Sequence, residues 1–169
     1  MKKGGGGGGR ISVVLTNAAS FSSFTGAMTA YGGAVAGHFG TAGTVYRKTP
    51  ADAGFVIIDN NNVLPDKTWV TTGFPSQNYL TENLKLTQWT IQNRGWPQLT
   101  TNLTLKSFTL AANTRLELGG YTLTLSALTV TGVVYKSGTY TTNSTSIFTD
   151  AIGGGKVVVT SQGTAAFFR

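Results

Sequence analysis

Six carboxylates (Asp52, Asp59, Asp66, Glu82, Glu117 and Asp150) and one histidine are the whole acid–base inventory of this 169-residue chain, which has no cysteine. Thiolate nucleophiles, thiolate metal sites and disulfides are therefore excluded. His38 stands in Gly-His-Phe-Gly with no partner at triad or metal spacing, and it reads as a turn or surface histidine. Asp59 followed by Asn60, Asn61 and Asn62 has the oxygen-rich look of a calcium loop. Calcium needs several carboxylate or carbonyl oxygens, so one Asp beside three Asn reads rather as a polar turn. Polysaccharide hydrolysis would need two carboxylates at a defined separation, and lyase chemistry an Asp-bound cation with an Arg or Lys base. Asp52, Asp59 and Asp66 with Arg47, Lys48 and Lys67 are the candidates, and no fixed spacing brings them together. The expectation is a protein that is not an enzyme, with no catalytic residues, no metal and no cofactor.

Binding chemistry has more to work with. Trp89 falls in an apolar repeat position and reads as core, whereas Trp69 and Trp96 flank turns and are the candidate glycan contacts, with Phe74 and Tyr79 nearby. The formal charge of +7 gives a general attraction to acidic polysaccharide. Its lysines and arginines are scattered from Lys2 to Arg169, which argues against a specific nucleic-acid site. No apolar run approaches the roughly 18 residues of a membrane span, so membrane insertion is not expected.

These side chains must be carried by strands. Thr, Gly, Asn and Ser stand where charges would otherwise be, and charged residues are only 11% of the chain, the balance of an extracellular all-β protein. The blocks "LKLTQWTI" (84–91), "LTLKSFTL" (103–110) and "LTLSALTV" (123–130) share one pattern at offsets of 19 and 20 residues, and "PQL" (97–99) and "LEL" (116–118) fall between them in the same register. Three short strands per 19–20 residues with no helical period predict a parallel β-helix, or β-solenoid. Alternation then points Leu84, Leu86, Trp89 and Ile91 inward, with Leu103, Leu105, Phe108 and Leu110 in the next coil and Leu123, Leu125, Leu128 and Val130 in the third. Thr90, Thr109 and Thr129 form one outward column, read as a β-branched ladder rather than an ice- or crystal-binding face, because neighbouring outward positions vary (Lys85, Gln98, Glu117). Asn93 and Asn113 are expected at the corners.

The chain divides into a Gly-rich segment (1–9), a less regular solenoid half (10–83), the regular coils (84–131) and a C-terminal hairpin with terminal strands (132–169). In the irregular half, strands are expected at 10–16, 26–33, 43–48 and 54–60. Hexaglycine has no side chain to bury and loses much backbone entropy on ordering. If ordered, it would lie where any Cβ would clash, against the backbone of the next subunit. No cap is evident at either end of the coils, so Gly4, Gly5, Gly6, Gly7, Gly8 and Gly9 at one end and Val157, Val158, Val159, Phe167 and Phe168 at the other are the expected self-association residues.

The series "GGGGGGRISVVLT", "AYGG", "AGTVYRK", "VIIDNNN" and "LELGGYTLTLSALTVTGVVYKSGTYT" resembles the C-terminal part of very large secreted parallel β-helix proteins of environmental bacteria, adhesin-like or autotransporter-like. That resemblance implies the fold and a cell-surface or extracellular location. The short chain starting at its own Met is expected to be a subunit that builds length by polymerising with copies of itself. An adhesive or carbohydrate-binding module is the alternative, and a polysaccharide lyase or hydrolase a more distant one.

Overall fold

A computed structural model describes residues 5–35, 37–65, 72–73 and 84–160. Fifteen strands occur among them: β1 (Arg10–Val14), β2 (Ala34–Val35), β3 (His38–Phe39), β4 (Thr44–Lys48), β5 (Phe55–Asp59), β6 (Thr72–Gly73), β7 (Gln88–Gln92), β8 (Pro97–Gln98), β9 (Leu103–Leu110), β10 (Leu116–Glu117), β11 (Thr122–Val130), β12 (Val133–Tyr135), β13 (Gly138–Tyr140), β14 (Phe148–Thr149) and β15 (Lys156–Val159). No α-helix occurs among the described residues.

The main sheet runs β1-β4-β5-β7-β9-β11-β15-β13, with β12 paired to β11 off that path. From β5 through β7, β9 and β11 to β15 every pairing is parallel. This parallel stack is flanked by antiparallel strands, β4 against β5 on one side, and β12 and β13 against β11 and β15 on the other. A second, parallel sheet runs β14-β10-β8-β6.

Alternating side chains build the core between the sheets. Trp89, Phe108 and Leu128 share one column, and Leu103, Leu123 and Val157 another, all buried. The Trp89 and Phe108 rings stack with centroids 6.4 Å apart. Each large apolar side chain so buried contributes about 1.5–3 kcal/mol. Both β9 and β11 change phase midway: Leu103 and Leu105 point in, Lys106 and Ser107 both point out, and Phe108 and Leu110 point in again. At that bend the Thr87 carbonyl accepts from the Lys106 amide at 3.1 Å. One strand thereby lines two walls of the core.

Corners follow β5, β7, β9 and β11, where Asn61, Asn62, Asn93, Arg94, Asn113 and Thr131 take positive φ. Asn tolerates that region better than most residues, which accounts for Asn93 and Asn113 at these places.

Four local expectations change. Leu84–Leu86 is a 3-10 turn, not a strand, and Leu86 is 50% exposed. Thr87 causes this: its hydroxyl donates to the Leu84 carbonyl at 2.7 Å and accepts from the Trp89 indole N–H at 2.8 Å, closing the turn. Glu117 is buried rather than outward, because its Oε1 accepts the Gly119 and Ala151 amides at 3.2 and 2.8 Å. Residues 26–33 form no strand. The expected C-terminal hairpin also differs, since β12 and β13 do not pair with each other. β15 occupies the Thr122–Leu125 part of the β11 edge, β12 takes the Leu128–Val130 part, and β13 passes to the far side of β15. Tyr135 and Tyr140 pack edge to face at 4.8 Å, and the Tyr140 hydroxyl donates to the Lys136 carbonyl at 2.7 Å, tying the link between them.

Candidate functional site

The carboxylates on described residues are committed to backbone and amide donors. Asp52 accepts the Thr49 hydroxyl at 2.6 Å and the Gly54 amide at 2.8 Å in the β4–β5 turn. Asp59 accepts the Asn61 amide at 2.7 Å and the Gln92 and Asn93 side-chain amides at 2.7 and 2.9 Å. A carboxylate saturated in this way is the polar corner its sequence suggests. Asp52 precedes β5 and Asp59 is its last residue, so the whole length of the strand, about 13 Å, lies between their backbones. Asp66, Lys67 and Glu82 lie outside the described residues. His38 sits in β3 opposite Val35. No cluster of three or more His, Cys, Asp or Glu that could hold a metal occurs among the described residues, and no helix among them is long and apolar enough to cross a membrane.

Trp96 is only 7% exposed, and the Arg115 guanidinium lies over its ring at 4.5 Å. The ring face that a sugar would use is taken, which corrects the expectation of a glycan contact there. Trp69, Phe74 and Tyr79 lie outside the described residues, as do Gly4, Phe167 and Phe168.

The glycine tract has a partner within its own chain. The Gly8 amide donates to the Thr41 carbonyl at 2.8 Å, the Gly33 amide to Gly6 at 2.7 Å, and the Thr44 amide to Gly9 at 3.2 Å. Gly43 in turn donates to Ala30 at 2.7 Å and Gly40 to Gly33 at 2.9 Å, so segments 5–9, 30–33 and 40–43 form one hydrogen-bonded layer. A Cβ at Gly5 or Gly8 would stand on the backbone of Gly33 or Ala30, and one at Gly40 or Gly43 on that of Gly6 or Gly9. At Gly6 and Gly9 it would meet nothing within 4 Å. The crowded positions recur every third residue, the period of a polyproline-II-like chain. None of these glycines has positive φ, so close approach rather than chain handedness demands them. The backbone that crowds these glycines is the chain's own.

Asn60 fastens the layer to the sheet. Fully buried at the end of β5, it accepts the Gly32 amide at 3.0 Å and donates to the Gly40 and Val63 carbonyls at 3.2 and 2.7 Å. Sequence reasoning missed this role, because an Asn in a run of three carries no mark of which one turns inward.

The terminal strands also differ from expectation. Val157 and Val159 are buried core, and both edges of β15 are occupied, by β11 and by β13. In the main sheet the free strand edges among the described residues are those of β1 at one end and of β12 and β13 at the other. Exposed apolar side chains stand at both ends, Val14 at 48% beside Val133 at 60% and Val134 at 71%.

The outer face of the main sheet carries the threonine column as Ile57, Thr90, Thr109, Thr129 and Val134 in lateral register. A cleft of about 130 Å³ opens on that face where residues 21–28 cross β4 and β5. Compared with known proteins, the chain matches no family model, no curated protein and no solved structure.

Proposed function

We propose that this chain is a structural β-solenoid subunit, extracellular or at a cell surface, that associates with copies of itself head to tail into a filament. The parallel register supports the winding: Trp89, Phe108 and Leu128 follow one another at 19 and 20 residues, and wider turns of 33 and 34 residues join Val56 to Trp89 and Leu123 to Val157. One observation carries the assembly. β1 runs parallel to β4, and β4 antiparallel to the stack, while β13 also runs antiparallel to the stack. The outermost strands therefore point the same way, each with a free edge.

β12 runs the same way, and the registers put Ile11 in line with Val134, so translating a second copy along the stacking direction brings its β1 beside β12 of the first as a parallel pair, with Val133 and Val134 at the junction. Strand addition of this kind supplies backbone hydrogen bonds without a preformed pocket. Because the two surfaces differ, the contact is heterologous, and it continues as a fibre unless its rotation closes a ring. A role for Val157 and Val159 in the contact is withdrawn, since both are core. The test is sedimentation velocity across a concentration series: growth of large species in the wild type, and its suppression in Val134→Lys, are expected. A single monomeric boundary at all concentrations refutes the assembly.

A further inference from the structure

Val45 and Ile57 stand opposite each other on the outer face of β4 and β5, away from the main core. Residues 21–28 cross that face, and their Phe21, Phe24 and Met28 line an open cleft of about 130 Å³ whose one ionisable lining group is Arg47, Phe24 standing half exposed. The chain there is held by a turn, the Phe24 amide donating to the Phe21 carbonyl at 2.9 Å. Gly26 makes room for the Phe24 ring, because a Cβ on Gly26 would stand 2.7 Å from its Cζ.

Arg47 is set two residues from Val45, hence on the same face of β4, and its guanidinium carbon lies 5.6 Å from the centre of the Phe21 ring. Its Nε is buried and has no hydrogen-bond partner among the described residues. A buried N–H without an acceptor is unusual in a folded protein and calls for an explanation. A guanidinium N–H bonds best to an anionic oxygen. The other side chains that line the cleft are aromatic, thioether and aliphatic, and a volume of about 150 Å³ is large enough for benzene.

We infer that this cleft is a binding site for a small carboxylate with a planar apolar body, the carboxylate oxygen accepting from Arg47 Nε and the body lying against Phe21, Phe24 and Met28. Neither half suffices alone: the apolar walls give a bare carboxylate nothing beyond the guanidinium, and an apolar ring leaves the Nε unsatisfied.

Benzoate, acetate and benzene are the probes, each titrated into the full-length ¹⁵N-labelled chain and followed by the amides of residues 21–28 and the Arg47 Nε–H. Saturable shifts with benzoate are expected, with acetate and benzene weaker by ~10-fold or more, in line with the loss of a charge-assisted hydrogen bond or of the apolar contact. Arg47→Met is expected to lose benzoate affinity ~10-fold or more while keeping that for benzene. Met28→Trp, which fills the cleft and leaves Arg47 in place, is expected to abolish both, and it serves as the test should Arg47→Met fail to fold. Benzoate affinity unchanged in either variant overturns the inference. So does the absence of saturable shifts in the wild type, which would assign the cleft to water.

Discussion

The Asn60 side-chain oxygen accepts the Gly32 amide at 3.0 Å, a bond that joins a strand end of the apolar core to a layer built almost wholly of backbone. Because Asn60 also donates to the Gly40 and Val63 carbonyls, Asn60→Ala strands two buried backbone groups and a partly buried third at once. Each unsatisfied group costs about 1–3 kcal/mol, so a total loss of about 3 kcal/mol or more is expected. Urea unfolding measures it, and faster amide exchange at Gly33, Gly40 and Gly43 than at Leu105 would place the damage in the glycine layer.

Glycine substitutions separate close approach from conformational freedom. Gly8→Ala and Gly43→Ala put a methyl group onto backbone atoms of Ala30 and Gly9 and are expected to destabilise by about 2 kcal/mol or more. Gly9→Ala meets open space at a φ that L-residues accept, and is expected to be neutral or to stabilise by about 0.5 kcal/mol through the unfolded chain. Thermal melts of the three variants check the contrast.

Much of this was legible from the spacing of side chains. Leu103, Leu105, Phe108 and Leu110, with their counterparts in β11, occupy the inward positions that alternation predicts, because burial on one face fixes register. Alternation fails at Leu86, where a hydroxyl two strand positions before Ile91's neighbour Trp89 overrides it through a local turn. It says nothing of the glycine layer, whose contacts are backbone to backbone and leave no pattern of side-chain type beyond glycine itself. Trp96 was misread because a tryptophan beside a turn looks the same whether an arginine or a sugar lies on its face.

The Leu86 difference has a direct consequence. Leu105→Ala removes a buried side chain and is expected to cost about 2–5 kcal/mol, whereas Leu86→Ala, at a half-exposed position outside the strands, is expected to cost less than about 1 kcal/mol. Denaturant midpoints at equal slope compare them.

Acid should weaken the fold through two carboxylates. For Asp52, burial acts to raise the pKa but is outweighed by hydrogen bonds from Thr49 and Gly54 and by the Lys48 charge, leaving it below the ordinary 3.8. For Asp150, burial is likewise outweighed, by the amides of Gly155, Gly120, Gly153 and Ile152. A depressed folded pKa means that the unfolded chain takes up protons first, so this stability is complete above 3.8 and is lost as pH falls below it toward the folded values. Urea midpoints are expected to drop as pH falls below about 4, and to drop less in Asp150→Asn.

The central claim is that β1 of one copy lies beside β12 of the next, and disulfide trapping tests it most directly because the chain has no cysteine of its own. Within one chain β1 and β12 are separated by five intervening strands, about 29 Å at ordinary strand spacing, far beyond disulfide reach. A double variant carrying Ile11→Cys with Val134→Cys, or Arg10→Cys with Val133→Cys, should give, under mild oxidation, a ladder of cross-linked multimers on a denaturing gel that collapses to monomer on reduction. Monomer alone from both variants, or dimers that never extend, would contradict head-to-tail strand addition.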